Sequence, residues 1–482
     1  MVPPFVDLHN HPSIKPYGQS FSRTPGQNNL NRRRKNSIWY YDSPNIFERA
    51  LQLLTGISKF TQSDCSTLVY GNARIACASL YPIERGFFTG ELGTGRFSEL
   101  ANAFVTGVGE KRVDFIQNIR DYYEDVVREY NFFKQLNGKS VATEAGNCKY
   151  ILVRNYSEIE TYMSTNQDDN QTIFMIMTIE GLHVLNSDYD ERGTANEASV
   201  LANLAAMKKW DHPPFFVTFA HHFYNHLCGH AHSLGGLVGN KTDQSFGMND
   251  PFTELGRKVI RELLSNQNGK RIYVDIKHMS ARSREEYFSI LSGEFASEEI
   301  PVIISHGAAN GLRSRTEPVI DNPMTAPKLL DQDINFYDNE LLMVARSKGI
   351  IGLQLDERRI ASMSTLKNTK HAIPMNKIRH YRAELLWNQV QHIAELLDRN
   401  GMFAWGCIGL GSDFDGVINP LNGYLTAETY PFLLEYLERY VHNYLESPCG
   451  DALKPFNQIS ASEIVNRIFS TNAMEFMQRW FK

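Results

Sequence analysis

Two histidines separated by one residue lie near the beginning of the chain, in the segment V-D-L-H-N-H at 6–11. The apolar residues of this segment favour a β-strand, and Pro12 ends it. Side chains two positions apart in a strand point to the same face, so His9 and His11 project side by side. Two neutral imidazoles at that separation suit one divalent ion such as Zn²⁺. Since an H-x-H pair is also typical of a solvated loop, its interpretation depends on the rest of the chain.

Other residues that bind metals or move protons each end an apolar, β-rich run: Glu180, His221, His278, His306 and Asp413. Any one of them alone would be interpreted as a polar residue that caps a strand exit. Together with His9 and His11 they are too numerous and too similar in chemistry for that interpretation. The pattern therefore predicts one shared site with metal-binding and acid–base chemistry.

The elements that must position these residues are eight apolar, β-rich runs at 4–11, 73–83, 172–180, 215–221, 271–278, 301–306, 349–355 and 407–413. Most are followed by a helical stretch. Apolar residues at spacings of three and four predict one long helix over 116–133, and further helices are predicted at 252–264, 377–400, 427–446 and 462–480.

Near-continuous apolar strands that alternate with helices indicate a parallel sheet covered on both faces. Eight such strands predict an α/β fold of the closed (β/α)8 TIM-type barrel class with elaborated loops, in which the C-terminal strand ends meet. No G-x-G-x-x-G follows the first run to suggest a dinucleotide-binding fold. We expect residues 1–482 to form a single barrel domain with C-terminal helices.

Composition narrows the classes of function. With 49 basic and 54 acidic residues the net charge is −5, which gives no argument for a nucleic-acid or anionic-membrane partner. The 6 cysteines form no C-x-x-C pair, which is typical of a reducing compartment. No apolar run is long enough for a transmembrane segment, and no leader precedes the first strand. We therefore expect a cytoplasmic protein; secretion with a removed leader and assembly as a homo-oligomer stay open.

Short motifs across the barrel resemble the membrane (renal-type) dipeptidase family of zinc peptidases, in the amidohydrolase superfamily. D-L-H-N-H at 7–11 is similar to the family's D-G-H-N-D, and E-G-L-H at 180–183 to its E-G-G-H. D-I-K-H-M-S at 275–280 resembles D-L-S-H-x-S, and S-H-G at 305–307 resembles S-H-S. G-S-D-F-D-G-V at 411–417 is similar to G-x-D-F-D-G-V. The motifs occur in the family's order.

The resemblance implies a metal-dependent hydrolase that cleaves the amide bond of small dipeptides through a hydroxide bridging two divalent ions, with zinc as the expected metal. Glu180 would bridge both ions, with His9 and His11 on one and His278 and His306 on the other. Asp413 would carry the proton from the water to the leaving amine, and His221 would stabilise the oxyanion. The resemblance also implies that Arg313 or Arg315, in the loop after the sixth strand, binds the substrate carboxylate.

Three departures from the family concern the site. The family usually has Asp where this chain has His11, which bears on metal affinity and metal choice. The stretch after the seventh strand reads Q-L-D-E-R-R at 354–359, and the loop after the first strand, with R-R-R-K at 32–35, is longer than the family's; both loops concern the substrate pocket. The substrate is therefore open: the alternatives are an amidohydrolase acting on another amide, a lactam, a lactone or a phosphoester. An alternative of another class is an inactive metal-binding barrel.

Other polar residues near these positions are given lesser roles. Four more histidines follow the fourth run and are interpreted as polar residues of the barrel mouth: His222, His226, His230 and His232. His183 is expected to support the site by hydrogen bonding, and Asp415 to lie behind the ligands. Lys277 is expected to point to the opposite strand face from His278, which excludes it as a bridging ligand.

Overall fold

The computed structural model describes residues 4–22, 25–45, 47–49, 52, 58–88, 107–166, 169–190, 192–235, 242–369 and 374–482. The strands are β1 Phe5–Asn10, β2 Ala73–Leu80, β3 Val141–Thr143, β4 Gly146–Leu152, β5 Thr172–Glu180, β6 Phe216–Thr218, β7 Tyr273–Asp275, β8 Ile303–Gly307, β9 Ile350–Leu353 and β10 Ile408–Leu410.

Eight of these strands close into a parallel barrel. The strand order is β2-β1-β10-β9-β8-β7-β6-β5, and β2 pairs with β5 to close the ring. All eight contain only buried residues, because each packs between the barrel interior and the surrounding helices. The predicted (β/α)8 class is confirmed.

A short hairpin extends the sheet beyond the ring. β3 pairs antiparallel with β4, and β4 pairs parallel with the first residues of β5, with Lys149 opposite Thr172. The sequence interpretation missed this hairpin.

The helices are α1 Ile14–Ser20, α2 Cys65–Tyr70, α3 Glu110–Gln117, α4 Tyr122–Lys134, α5 Tyr156–Thr165, α6 Glu197–Met207, α7 Glu254–Leu264, α8 Ala281–Gly293, α9 Asp338–Arg346, α10 Glu357–Ile360, α11 Met363–Thr369, α12 Met375–Arg399, α13 Tyr430–Leu445, α14 Pro448–Asp451, α15 Ala461–Asn466 and α16 Asn472–Trp480. Within the described ranges, no helix is long and apolar enough to cross a membrane.

The single long helix predicted over 116–133 is wrong. The chain leaves α3 after Gln117 and begins α4 at Tyr122, where the side chain of Asp121 accepts a hydrogen bond from the backbone N–H of Glu124. An N-cap of this kind starts a new helix, although the apolar spacing continues across the break.

Several strands are shorter than predicted, and the residues cut from their ends are those that carry chemistry. The run predicted over 271–278 is a strand only through Asp275, and the run over 407–413 only over Ile408–Leu410. Beyond these ends the chain turns through left-handed backbone, with φ of 65° at His278 and 58° at Asp413. Such values are uncommon outside glycine, although Asp and His adopt them more often than most other residues.

Candidate metal centre

The carboxylate of Glu180, at the end of β5, is the centre of the site. Its Oε2 lies 3.0 Å from Nε2 of His11, and its Oε1 lies 3.5 Å from Nε2 of His9. The same Oε1 also lies 3.5 Å from Nε2 of His278 and 3.3 Å from Nε2 of His306. One buried carboxylate therefore contacts imidazoles from three other strand ends.

Within each histidine pair, the ring nitrogens face each other. Nε2 of His9 and Nε2 of His11 are 3.1 Å apart, and those of His278 and His306 are 3.3 Å apart. Nδ1 of His11 lies 3.0 Å from the backbone oxygen of Ser79, so in the neutral ring Nδ1 donates and Nε2 carries the lone pair. Lone pairs that face each other and a carboxylate in a buried site require a shared cation or proton. The donor set therefore fits divalent metal ions.

Asp413 completes the arrangement. Its Oδ1 lies 3.9 Å from Nε2 of His9 and 3.6 Å from Nε2 of His11, while its Oδ2 accepts a 2.7 Å hydrogen bond from Gln354. The ligand atoms form two groups that share Glu180, each with its atoms within 4.8 Å of one another: His9, His11, Glu180 and Asp413, and Glu180, His278 and His306. The structure thus brings together all the metal ligands suggested by the sequence.

The site shifts the pKa values of the two carboxylates in opposite directions. Burial alone would raise the pKa of Glu180, but His221, His9 and His11 outweigh it and hold that pKa well below its usual value. For Asp413, burial is the dominant influence and raises the pKa. Two nearby carboxylates with pKa values pushed in opposite directions suit different roles, one as a permanent anion and one as a proton acceptor.

A buried serine that the sequence interpretation missed connects the two histidine pairs. Oγ of Ser305 donates to Oδ2 of Asp275 at 2.6 Å, and lies 3.1 Å from Nδ1 of His9 and 2.9 Å from Nδ1 of His306. Because the hydroxyl proton is directed at Asp275, its oxygen can accept from both Nδ1–H groups and so leave Nε2 of each ring free to bind a metal. Ser305 and Asp275 are both part of the family-like motifs, but their contact with each other is visible only in the folded chain.

His221 reaches the centre from the turn after β6, and a second missed residue holds it. Its Nε2 lies 3.5 Å from Oε2 of Glu180, and its Nδ1 lies 2.7 Å from Oε2 of Glu84. Glu84 also accepts from the backbone N–H of His222 at 3.0 Å. Burial opposes both charges. His221 nevertheless lowers the pKa of Glu84 to about 2, while Glu180 and then Glu84 raise the pKa of His221. No motif marked Glu84, which stands alone after the second strand.

The arginines predicted to bind a carboxylate lie apart from this cluster. The side chain of Arg313 is 42% exposed and pairs with Asp321 and Glu317. The side chain of Arg315 is 36% exposed and pairs with Glu285 at 2.7 Å. The structure does not bring either of them to the metal ligands, so their role in substrate binding stays a prediction.

The expected orientation of Lys277 is wrong. Because β7 ends at Asp275, the alternation of strand faces does not extend to Lys277 and His278. Lys277 is buried, with Nζ 3.4 Å from Oε1 of Gln354, whose amide nitrogen binds Asp413. Lys277 is thus directed towards the site end of the barrel.

Two of the supporting polar residues have clear partners. Nε2 of His183 lies 2.8 Å from the backbone oxygen of Pro82, outside the ligand groups. Oδ1 of Asp415 pairs with Nζ of Lys15 at 2.6 Å. His222 is closer to the site than expected, because it forms a potential ligand group with His221 and His278.

Histidines and carboxylates gathered at the C-terminal strand ends of a (β/α)8 barrel define the class of metal-dependent hydrolases built on this fold. The sequence model of the membrane dipeptidase family, peptidase family M19, matches residues 144–447. The chain therefore belongs to the membrane dipeptidase family and is a metal-dependent, dipeptidase-like hydrolase. The matched segment contains Glu180 and Asp413 but not His9 or His11.

Solved structures agree on the fold. The dipeptidase AC, a metallopeptidase of family M19, is 12% identical with a TM-score of 0.51, over 100% of this chain and 99% of that chain. A metallopeptidase from Rhodobacter sphaeroides is 13% identical with a TM-score of 0.50, over 100% of both chains. The comparison with curated proteins gave no match.

Proposed function

We propose that the protein hydrolyses the amide bond of small dipeptides with two divalent metal ions, zinc being the expected metal. The observation that carries the proposal is the position of Glu180, whose two carboxylate oxygens contact Nε2 atoms of both histidine pairs. Membership of the dipeptidase family supports the substrate class. The Rhodobacter sphaeroides metallopeptidase is described as liganded with a phosphinate mimic of the dipeptide L-Ala-D-Ala, which supports the same class.

In this proposal, His9, His11 and Glu180 would hold the first ion, and Glu180, His278 and His306 would hold the second. Metal ions bound there would supply an activated water near neutral pH and a Lewis acid for the scissile carbonyl. Ser305 keeps His9 and His306 in the tautomer that leaves Nε2 free. Glu180 remains ionised because the surrounding imidazoles lower its pKa.

Asp413 is proposed to accept a proton from the water and to deliver it to the leaving amine. Its Oδ1 faces His9 and His11, and its Oδ2 is held by the side chain of Gln354, so the carboxylate has one fixed orientation. A raised pKa suits this task, because a general base must also release its proton as an acid in the next step.

His221 is proposed to stabilise the negative charge that develops on the carbonyl oxygen. Glu84 accepts the hydrogen bond from Nδ1 and favours the protonated ring, while Nε2 is directed towards the centre of the site. A donor fixed in this way before the reaction needs no reorganisation when the charge forms.

The test is hydrolysis of a dipeptide panel by protein loaded with Zn²⁺ or Mn²⁺, with a chelated sample as the control. We expect cleavage that is lost on chelation and restored by metal. Cleavage of other amides, lactams, lactones or phosphoesters in place of dipeptides would favour the second hypothesis, and no turnover by fully loaded protein would indicate an inactive metal-binding barrel.

A reducing, cytoplasmic setting is supported by the cysteines, all of which are free thiols.

A further inference from the structure

Arg359 stands near the site without an acidic partner. It lies on α10, directly after β9, and its guanidinium donates to the backbone oxygen of Ser233. Over the described ranges, no carboxylate lies within ion-pair distance of it. Its neighbour Arg358 differs, because Nη2 of that side chain bonds Oδ2 of Asp356 at 2.9 Å.

The contacts of Arg359 place it beside the metal ligands. Oγ of Ser233 lies 2.7 Å from Nδ1 of His222, whose ring centroid is 5.1 Å from that of His278. Arg359 also belongs to the segment after β9 that includes Gln354, whose amide nitrogen donates to Oδ2 of Asp413 at 2.7 Å. The guanidinium thus contacts the loop after β6 next to His222, whose ring packs against that of His278.

A partly exposed guanidinium has five N–H donors, and only one bond of the Arg359 side chain is present among the described residues. Its planar fork matches a carboxylate through two parallel hydrogen bonds. The two other candidates are already held: Arg313 by Asp321 and Arg315 by Glu285. Either would have to give up an ion pair to bind a substrate.

We propose that Arg359 binds the C-terminal carboxylate of the dipeptide substrate and so determines specificity for free dipeptides. This inference rests on the proposed function, and it names the residue that selects the substrate class. The carboxylate-binding arginine would then come from the segment after β9, where the sequence departs from the family pattern. The sequence had instead suggested Arg313 or Arg315, in the loop after β8.

The experiment compares kcat/KM for a dipeptide with a free C-terminus and for the same dipeptide amidated, using metal-loaded wild type and variants. We expect wild type to prefer the free acid, and Arg359→Met to lose about 30- to 1,000-fold on the acid while changing little on the amide. Arg359→Lys should recover part of the loss, since it keeps the charge without the fork. Arg358→Met is the matched control and should keep the preference.

Metal content and melting temperature should match wild type in each variant, so that a loss of folding is not mistaken for a loss of binding. If Arg359→Met keeps the preference and Arg313→Met or Arg315→Met erases it, the inference is overturned while the dipeptidase function stands. Equal wild-type rates for acid and amide would overturn the clamp but leave amide hydrolysis intact. Wild type that cleaves no dipeptide would overturn both.

Discussion

Replacing Glu180 with Gln tests the two-ion centre most directly. The amide has the same shape as the carboxylate, but it carries no charge and turns one oxygen into an N–H donor. That donor would face Nε2 atoms at 3.0–3.5 Å, where the carboxylate offers lone pairs to shared cations. We expect both metal sites to weaken at once, because both histidine pairs face this one side chain.

The expected loss of metal affinity can be estimated from the smaller loss seen when a residue that supports a metal ligand is removed. Loss of a partner behind a metal ligand costs about 10- to 100-fold in affinity, so loss of a shared anionic ligand should cost at least about 100-fold. At free zinc of about 100 times the wild-type Kd, zinc bound at one site raises the free energy of unfolding of the wild type by about 2.7 kcal/mol. In the variant, the same zinc concentration would raise it by only about 0.4 kcal/mol. With an unfolding entropy of about 1 kcal/mol/K for a chain of this length, the metal-induced rise in Tm should be smaller by roughly 2 °C per site.

The assay combines elemental analysis with melting curves recorded with and without zinc. The metal-induced rise must be compared, rather than Tm itself, because removing a buried charge also changes the stability of the metal-free protein. Glu129→Gln is the matched control: Glu129 is fully buried and accepts from Ser13 and the backbone of Tyr81, but it belongs to none of the ligand groups. Two equivalents of metal and a full rise in Glu180→Gln would refute the shared-ligand reasoning, and loss of one ion alone would show that Glu180 serves a single site.

Three further predictions concern the residues around the ions. Asp413→Asn should keep the fold and at least one ion while kcat falls by several orders of magnitude, and near-normal turnover would show that another group moves the proton. Glu84→Gln should lower kcat more than it changes KM, with metal content unchanged, because His221 keeps Glu180 but loses the carboxylate that holds its Nδ1 and also favours its protonated ring; unchanged kcat would contradict this role. Burial opposes the charge on His11, but Glu180 and Asp413 raise its pKa in the metal-free protein to about 10, so metal binding must displace a proton. Zinc affinity measured with a competing chelator should therefore fall by about 100-fold from pH 8 to pH 6, and a flat profile would count against it.

The sequence predicted the barrel because its strands are fully buried and therefore apolar along their whole length. β5 matches the predicted run 172–180 at both ends, since it is buried on both faces up to Glu180. The strand ends near His278 and Asp413 were overestimated, because the apolar pattern does not encode the left-handed turns in which these two residues lie. The ligands themselves were predictable, since a barrel brings its C-terminal strand ends together.

The supporting residues could not be predicted in the same way. Ser305 and Glu84 act through contacts with residues far away in the chain, and no local spacing encodes that proximity. Arg359 was visible in the sequence only as one half of a pair of arginines. The two arginines differ because Asp356 pairs with the guanidinium of Arg358. Among the described residues, no carboxylate pairs with the guanidinium of Arg359, which donates to the backbone oxygen of Ser233.

Because position 11 is a histidine, Asp413 has a second role in balancing the charge of the first metal ion. An Asp there, as in the family pattern, would add a negative charge to the first ligand group, and His11 does not. Among the described residues, that group then has only the carboxylates of Glu180 and Asp413 to balance a dication. Oδ1 of Asp413 faces the histidines while Oδ2 is bound by Gln354, so one side chain must serve both charge balance and proton transfer. The metal content of Asp413→Asn separates these roles: two ions with lost turnover would indicate proton transfer alone, whereas one ion would show that Asp413 also holds the first metal.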